Sequence, residues 1–322
     1  MLNFNKIAVI GCGNVGSTIT YTLAISKQYT DIVLIDVDVQ KAKGEAKDIS
    51  HTAPFVGNIN VYAGDYSDIL DAGITIITAG ANQKPGQTRL QLVNMNVAVM
   101  RSIIPQIAQL SYEGVILIVS NPVDIMTYVA KKLMKQFNPT YPLNKIVGTG
   151  TVLDTARLKS LLGERLMVDS RSIHAFIIGE HGDSEIVAWS SANVSGIPLE
   201  SFCYSRDFCD IIKETSEIAE QVKRSAYEII EEKGATYYGI AMVTKRICEA
   251  IANNERSVLP VSRMMIGEYG IYDVVMSIPT IVGQSGAESG VIFELNKTEQ
   301  CALKASADIL RGILNDLELP KT

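Results

Sequence analysis

The sequence predicts an α/β fold in which a doubly wound parallel sheet is followed by a mixed α+β region. In the first half, short Ile- and Val-rich runs alternate with segments of helical length, which is typical of strand–helix–strand units. These runs are short and consist mostly of Ile and Val, as expected of parallel strands that are buried on both faces. The alternation ends near position 146. We therefore expect two domains, residues 1–145 and residues 146–322.

The elements of the first half follow from the spacing of apolar residues. Four clear runs and one weaker run (59–62) predict strands, and the segments between them predict helices. The strands are 6–10, 32–35, 59–62, 74–78 and 115–119, and the helices include 14–26 and 39–51.

The second half has longer helical segments, one apolar run and a pair of strands that we expect to be antiparallel. No flexible linker divides the chain, so we expect the two halves to pack tightly. The predicted helices are 153–162, 211–232, 240–253 and 298–317, the apolar run is 173–178, and the paired strands are 258–266 and 273–278.

Composition excludes several classes of protein. The chain of 322 residues has a net charge of -6 and no block of Lys and Arg, so we expect no nucleic-acid partner. It has neither a signal peptide nor an apolar run of membrane-spanning length, which predicts a cytoplasmic protein without a membrane partner. The cysteines form no CxxC pair, which indicates free thiols and no metal site; they are Cys12, Cys203, Cys209, Cys248 and Cys301.

A glycine-rich motif directly follows the first predicted strand and opens the first predicted helix. Its glycines suit a tight turn, a close approach to a pyrophosphate and close packing of helix on strand. The helix N-terminus would offer free N–H groups and its positive dipole end to phosphate. The motif consists of Gly11, Cys12, Gly13, Asn14, Val15 and Gly16.

Asp36 ends the second predicted strand, 20 positions after Gly16. A carboxylate there can accept hydrogen bonds from the ribose hydroxyls and repels a 2′-phosphate, so NAD is favoured over NADP. The alternative is a simple turn residue at the end of a strand. Ala79 and Gly80, after the strand 74–78, would let a ligand lie against the edge of the sheet.

Hydride transfer to or from a secondary alcohol needs an acid–base group and a cation near the oxygen. Of the three histidines, His181 lies in a polar, glycine-flanked turn after an apolar run, where an imidazole can be presented to a ligand. The turn alone leaves its catalytic role open. His51 closes an early predicted helix, which favours a surface or capping residue.

Three charged residues suit the remaining tasks. Asp154 and Arg157 lie three positions apart on one helical face, either as a surface ion pair or with separate roles. In the second case, Asp154 orients an imidazole and Arg157 binds a substrate carboxylate. Arg89 follows a Pro- and Gly-containing loop, either as a solvated charge or as part of a loop that closes over the cofactor.

Together these segments resemble the L-lactate/malate dehydrogenase family, and the L-lactate dehydrogenases in particular. The resemblance spans essentially the whole chain, with its motifs in the family's order. They are 11–16 with Asp36, 79–90, Ser120-Asn121-Pro122-Val123-Asp124, 153–158, 179–184 and Gly234-Ala235-Thr236-Tyr237-Tyr238.

The resemblance implies reversible hydride transfer between NADH and pyruvate, which gives L-lactate, with His181 as proton donor and acceptor. Asp154 would orient His181, Arg157 would bind the substrate carboxylate, and Arg89 would polarise the carbonyl. Further implied contacts are Asn121 with substrate and nicotinamide, Thr236 with the substrate side chain, and Ile240 with the nicotinamide.

Gln83 stands where the malate dehydrogenases carry an Arg that pairs with the second carboxylate of oxaloacetate. A neutral amide would leave that carboxylate unpaired in a closed site, which costs several kcal/mol. Pyruvate is therefore favoured. Another 2-hydroxy monocarboxylic acid and malate are the alternatives.

The resemblance also implies a homotetramer in glycolysis and pyruvate fermentation, with possible activation by fructose 1,6-bisphosphate. His174 matches the family's effector-binding histidine, but Lys159 stands where the family has an Arg and lacks its bidentate fork. The alternative for His174 is an ordinary strand or interface residue.

Two other classes of function fit the sequence less well. A related family of NAD-dependent glycosidases holds a metal with Cys and His, but no thiol lies near His181 in the sequence. A catalytically silent nucleotide-binding protein would not need the candidate catalytic residues.

Overall fold

The computed structural model describes residues 1–81, 89–206 and 213–317, and it confirms the predicted fold class. The strands are β1 (Asn3–Ile10), β2 (Asp31–Ile35), β3 (Asn60–Ala63), β4 (Ala72–Ile77), β5 (Val115–Ile118), β6 (Ile146–Gly148), β7 (Ile173–His174), β8 (Ile177–Ile178), β9 (Ile186–Val187), β10 (Asn193–Val194), β11 (Ile197–Pro198), β12 (Ser257–Ile266), β13 (Tyr272–Gly283) and β14 (Gly286–Gly290).

The α-helices cover both faces of the main sheet and complete the second half. They are α1 (Asn14–Ile25), α2 (Val39–Ser50), α3 (Ala53–Val56), α4 (Arg89–Gln109), α5 (Val123–Phe137), α6 (Val152–Leu166), α7 (Leu199–Ser205), α8 (Thr215–Lys233), α9 (Tyr238–Ala252) and α10 (Lys297–Asn315).

The first six strands form a parallel sheet in the order β3-β2-β1-β4-β5-β6. Every residue of β4 and β5 is buried, as their apolar sequences predict. The strand order reverses between β1 and β4, and sheets of this kind bind ligands in the crevice at the carboxyl ends of such strands. The topology therefore places a binding site at the ends of β1 and β4.

The antiparallel strands of the second half are not a separate sheet. β12 pairs with β6 at Ser262 and Gly148, and β13 and β14 follow, so one sheet of nine strands runs through both halves. The predicted pair 258–266 and 273–278 is confirmed as β12 and β13. Helix α5 and strands β6 and β14 have no counterpart among the predicted elements.

The apolar run 173–178 is divided, which corrects its interpretation as one continuous element. β7 pairs with β10, whereas β8 pairs with β9 in a different small sheet. Between them the carbonyl of Phe176 accepts a hydrogen bond from the N–H of Ala188 at 2.9 Å. The chain changes neighbours within six residues, and apolarity alone does not reveal such a change.

Buried apolar side chains form clusters on the two faces of the main sheet and beneath the small three-stranded sheet. Within the described ranges, no helix has the length and apolar character needed to cross a membrane. Among the described cysteines, Cys12, Cys203 and Cys248 are buried and Cys301 is exposed. Cys209 lies outside the described residues.

Candidate active site

The glycine motif forms the turn between β1 and α1, and its three glycines differ in what surrounds them. Gly11 has φ +105°, and a Cβ there would lie 2.6 Å from the N of Ala79. A Cβ at Gly16 would lie 1.9 Å from the carbonyl oxygen of Gly11. A Cβ at Gly13 would meet nothing within 4 Å. Gly11 and Gly16 are thus required by packing, whereas Gly13 borders open space.

This open space suits a pyrophosphate. It lies before the first turn of α1, where Gly13 is the N-cap and no side chain among the described residues caps the turn. The residues Asn14 and Val15 begin the helix, so their N–H groups and the positive end of the helix dipole face an incoming anion. The residues present therefore fit the phosphates of a dinucleotide.

Asp36 lies at the end of β2, beside the glycine turn. Its Oδ2 accepts a hydrogen bond from the N–H of Cys12 at 2.6 Å, and its Oδ1 accepts one from the N–H of Asp38 at 2.9 Å. The Asp36 carboxylate thus stabilises a turn at the end of a strand, as the alternative interpretation predicted. It also lies where a ribose would approach the glycine motif.

The ends of β4 and β5 are joined by a buried amide that sequence reasoning missed. Asn96 of α4 accepts a hydrogen bond from the N–H of Ala81 at 2.7 Å and donates to the carbonyl of Asn121 at 2.7 Å. A Cβ on Gly80 would approach its Oδ1 to 3.3 Å. Asn96 fixes the spacing of the two strand ends, but an amide in the middle of a helix carries no signal of this role.

The structure brings His181, Asp154 and Arg157 together. The Oδ2 of Asp154 is 2.6 Å from Nδ1 of His181, and its Oδ1 accepts a hydrogen bond from Nη1 of Arg157 at 2.9 Å. Asp154 is 4% exposed, against 14% for Arg157 and 25% for His181. The Asp154–Arg157 pair is therefore buried in a site, which excludes the interpretation as a surface ion pair.

The electrostatics of this group favour a protonated imidazole. Burial alone would lower the pKa of His181, but the Asp154 carboxylate raises it, and the pKa stands at about 9. Burial would raise the pKa of Asp154, but His181 and Arg157 hold it below its ordinary value. At neutral pH the group therefore holds an imidazolium, a carboxylate and a guanidinium.

Asp124 is a second carboxylate that sequence reasoning missed as a site residue. Its Oδ2 accepts a hydrogen bond from the backbone N–H of His181 at 2.7 Å, and its Oδ1 accepts one from the hydroxyl of Ser262 at 2.5 Å. Burial raises its pKa to about 6, although these hydrogen bonds oppose the shift. Asp124 thus ties α5 to the His181 loop and to β12. In the sequence it is an ordinary acidic residue in the first turn of a helix.

The other predicted site residues lie at the starts of α9 and α4 and after β5, where they fall within the described residues. Thr236 is half-buried just before α9, and Ile240, in the first turn of α9, packs against the core near the glycine turn. Arg89 begins α4, but its side chain and the whole of Gln83 lie outside the described residues. Asn121 follows β5 and is exposed.

The predicted effector residues lie on α6 and β7, and the remaining histidine lies at the end of α2. Half-burial lowers the pKa of Lys159, which lies on α6. His174 is exposed on β7, opposite Asn193 of β10. His51 is exposed and caps the C-terminus of α2, in agreement with the surface interpretation.

Comparison with known families accounts for nearly the whole chain. Residues 5–148 match the lactate/malate dehydrogenase NAD-binding domain, and residues 151–319 match the lactate/malate dehydrogenase alpha/beta C-terminal domain. The chain belongs to the lactate/malate dehydrogenase family. Within this family, the match of the first half to the NAD-binding domain agrees with the open space at Gly13 and with the strand order of the parallel sheet.

Individual members of the family are similar over almost their full length. The L-lactate dehydrogenase of Acetivibrio thermocellus is 47% identical over 314 residues, which are 98% of each chain. A minor L-lactate dehydrogenase from Enterococcus mundtii, solved with ligands bound, superimposes with a TM-score of 0.91 at 40% identity, covering 98% of this chain and 99% of that one. A lactate dehydrogenase from a Medee basin deep-sea metagenome library gives a TM-score of 0.92 at 40% identity with the same coverage.

Proposed function

We propose that this chain is an NAD-dependent L-lactate dehydrogenase that interconverts pyruvate and L-lactate. The observation that carries the proposal is the buried Asp154 carboxylate that holds His181 with one oxygen and Arg157 with the other. The similarity to named L-lactate dehydrogenases supports the substrate.

His181 is the proton donor during reduction and the acceptor during oxidation. Because Nδ1 is engaged by Asp154, Nε2 is the nitrogen that faces substrate. NADH, when bound, would supply the hydride for the carbonyl carbon, and His181 gives its proton to the carbonyl oxygen. Asp154 stabilises the imidazolium and fixes the orientation of its ring.

Arg157 binds the substrate carboxylate. One of its nitrogens donates to Asp154, and the planar guanidinium retains further N–H groups for a bidentate contact with an anion. Arg89, at the start of α4, polarises the carbonyl as the preceding loop closes.

Gln83 and Thr236 set the specificity for pyruvate. A neutral amide at Gln83 leaves the second carboxylate of oxaloacetate without a partner. Asn121 contacts substrate and nicotinamide, and Ile240 packs on the nicotinamide. The second candidate function is action on another 2-hydroxy monocarboxylic acid or on malate.

The carboxyl edge of the parallel sheet would hold the cofactor. The turn before α1 would bind its pyrophosphate, Asp36 its adenosine ribose, and the end of β4 the part that leads to the nicotinamide. The residues concerned are Gly11, Gly13, Asn14, Val15, Gly16, Asp36, Ala79 and Gly80.

The roles of the two domains, the assembly and the effector site are proposed from the resemblance to the family. Residues 1–145 form the NAD-binding domain and residues 146–322 the catalytic and substrate domain, in a cytoplasmic homotetramer that serves glycolysis and pyruvate fermentation. Fructose 1,6-bisphosphate would bind at a subunit interface through Lys159 and His174.

The decisive experiment compares pyruvate, oxaloacetate, phenylpyruvate and 2-ketoisocaproate as oxidants of NADH, with and without fructose 1,6-bisphosphate. Pyruvate should give the highest kcat/KM. His181→Asn should lower kcat by about 10²–10⁴-fold, the usual contribution of a general acid, while NADH still binds in a fluorescence titration. A preference for oxaloacetate, or an active His181→Asn variant, would contradict the proposal.

A further inference from the structure

Glu185 is a buried carboxyl group that none of the roles above uses. It lies four residues after His181, and its N–H donates to the carbonyl of Gly182 at 3.1 Å within the same turn. The residue is 6% exposed. Its Oε1 is buried and has no hydrogen-bond partner among the described residues. Burying a polar atom without a partner costs free energy, so its position calls for a functional explanation.

The side chain lies within the catalytic group. A carboxylate oxygen of Glu185, one of Asp154 and a ring nitrogen of His181 all lie within 4.8 Å of one another. The charged groups that face Glu185 are Asp154 and Arg157 from α6, His181 from its own loop and Lys223 from α8. Lys223 also donates to the carbonyl of Asp183 at 2.9 Å, which holds the loop against α8.

This environment sets the charge of Glu185. Burial and the Asp154 carboxylate raise its pKa to about 8, while His181, Lys223 and Arg157 oppose the shift. Below that pH it is a neutral acid, and its oxygen does not compete with a substrate carboxylate for Arg157. Above that pH it ionises while His181, with a pKa of about 9, still carries its proton. An anion then lies beside the imidazolium.

We propose that Glu185 is a positioning residue that acts through His181, because its carboxylate keeps the catalytic proton on the imidazole in mildly alkaline solution. Below pH 8 the negative charges that favour the imidazolium are those of Asp154 and, from α5, Asp124. At higher pH the Glu185 carboxylate adds its charge and delays the loss of the proton. The inference rests on the proposed function, since it concerns the proton that His181 gives to pyruvate.

The test is the pH profile of kcat/KM for pyruvate reduction between pH 6 and 10. Glu185→Gln keeps the size of the side chain and removes its charge, so the alkaline limb should move to lower pH by about 1 unit. This is the lower end of the effect of an opposite charge at this distance. Reduction at pH 9 should then fall by up to about tenfold relative to the rate at pH 6.5.

Asp183→Asn is the matched control, because it removes one negative charge from an exposed position in the same loop. The alkaline limb of the pH profile of Asp183→Asn should coincide with that of the wild type. Should Glu185→Gln fold poorly, Glu185→Ser should show the same displacement. A limb that is unmoved in both Glu185 variants, or moved equally in Asp183→Asn, would overturn the inference. A wild type that does not reduce pyruvate would instead defeat the proposed function.

Discussion

At the scale of single residues, the decisive feature is a carboxylate that is shared between two cations. Asp154 contacts His181 and Arg157 with different oxygens, so one buried charge both holds the proton donor and orients the group that binds substrate. A second Asp–Arg pair with the same spacing, Asp308 and Arg311 on α10, is largely exposed. The two pairs have the same spacing in the sequence, but the first is buried and its carboxylate also contacts His181.

We expect Asp154→Asn to lower the pKa of His181 from about 9 towards its ordinary value of 6.5, because the carboxylate is what raises it. With its pKa at about 9, His181 stays protonated up to about that pH. Without the Asp154 carboxylate, the proton-donating form of His181 is lost as the pH rises through neutrality. Pyruvate reduction at pH 8 should therefore fall by about 10-fold or more. Lactate oxidation needs the neutral imidazole, and the fraction of His181 in this form should increase at the same pH, so the rate of oxidation should fall less than the rate of reduction.

The measurement is kcat/KM in both directions across pH 5.5–9.5. Asp308→Asn provides the control, because it breaks an Asp–Arg pair of identical spacing on the surface. Its profile should overlay that of the wild type. An alkaline limb for Asp154→Asn that coincides with the wild type would show that Asp154 does not set the proton affinity of His181.

At the scale of elements, the β1–α1 turn separates packing from ligand binding within one motif. Gly16→Ala would force a Cβ against the carbonyl of Gly11, so we expect a loss of about 1–3 kcal/mol of unfolding free energy. Gly13→Ala adds a methyl to open space, so stability should stay close to the wild type. The methyl would nevertheless occupy space proposed for the pyrophosphate, and NADH affinity should fall by about 10-fold or more.

Thermal unfolding without cofactor and NADH titration by fluorescence separate the two effects. The wild type should gain unfolding temperature when NADH is added, because a ligand that binds only the folded state stabilises it. Gly13→Ala should gain less. If Gly13→Ala bound NADH as tightly as the wild type, the pyrophosphate would have to lie elsewhere.

At the scale of the whole molecule, large apolar side chains remain exposed on several helices. Phe55 on α3 is 85% exposed. Where such side chains form one contiguous patch, the patch marks a contact between protein molecules. The exposed side chains include Val39, Phe55, Tyr227, Ile230, Tyr238 and Met242.

If the chain forms the proposed homotetramer, Phe55→Glu should favour smaller species, because a carboxylate buried in an apolar interface loses its hydration without a partner. Size-exclusion chromatography with light scattering at several protein concentrations measures this shift. Phe55→Leu keeps the apolar contact and should keep the assembly. If the wild type had a monomeric mass, or if Phe55→Glu left the mass of the assembly unchanged, Phe55 would not lie in a subunit interface.

The sequence by itself determined features that depend on neighbouring residues. The apolar runs predicted β1, β2, β4 and β5 because strands buried on both faces are mostly apolar. The weaker run 59–62 predicted the partly exposed edge strand β3. The glycine motif and Asp36 predicted the cofactor site because the turn, the helix N-terminus and the end of the next strand are set by local geometry. The spacing of Asp154 and Arg157 placed them on one helical face, whereas only the resemblance to a family implied that His181 joins them.

Only the tertiary structure decided features that join distant residues. The run 173–178 divides between two sheets, and β12 extends the parallel sheet, because hydrogen-bond partners come from elsewhere in the chain. Asp124 and Glu185 appear in the sequence as an ordinary helix acid and an ordinary loop acid. Their burial beside His181 changes their proton affinity, because desolvation and nearby charge depend on the folded surroundings and on nothing within the local sequence.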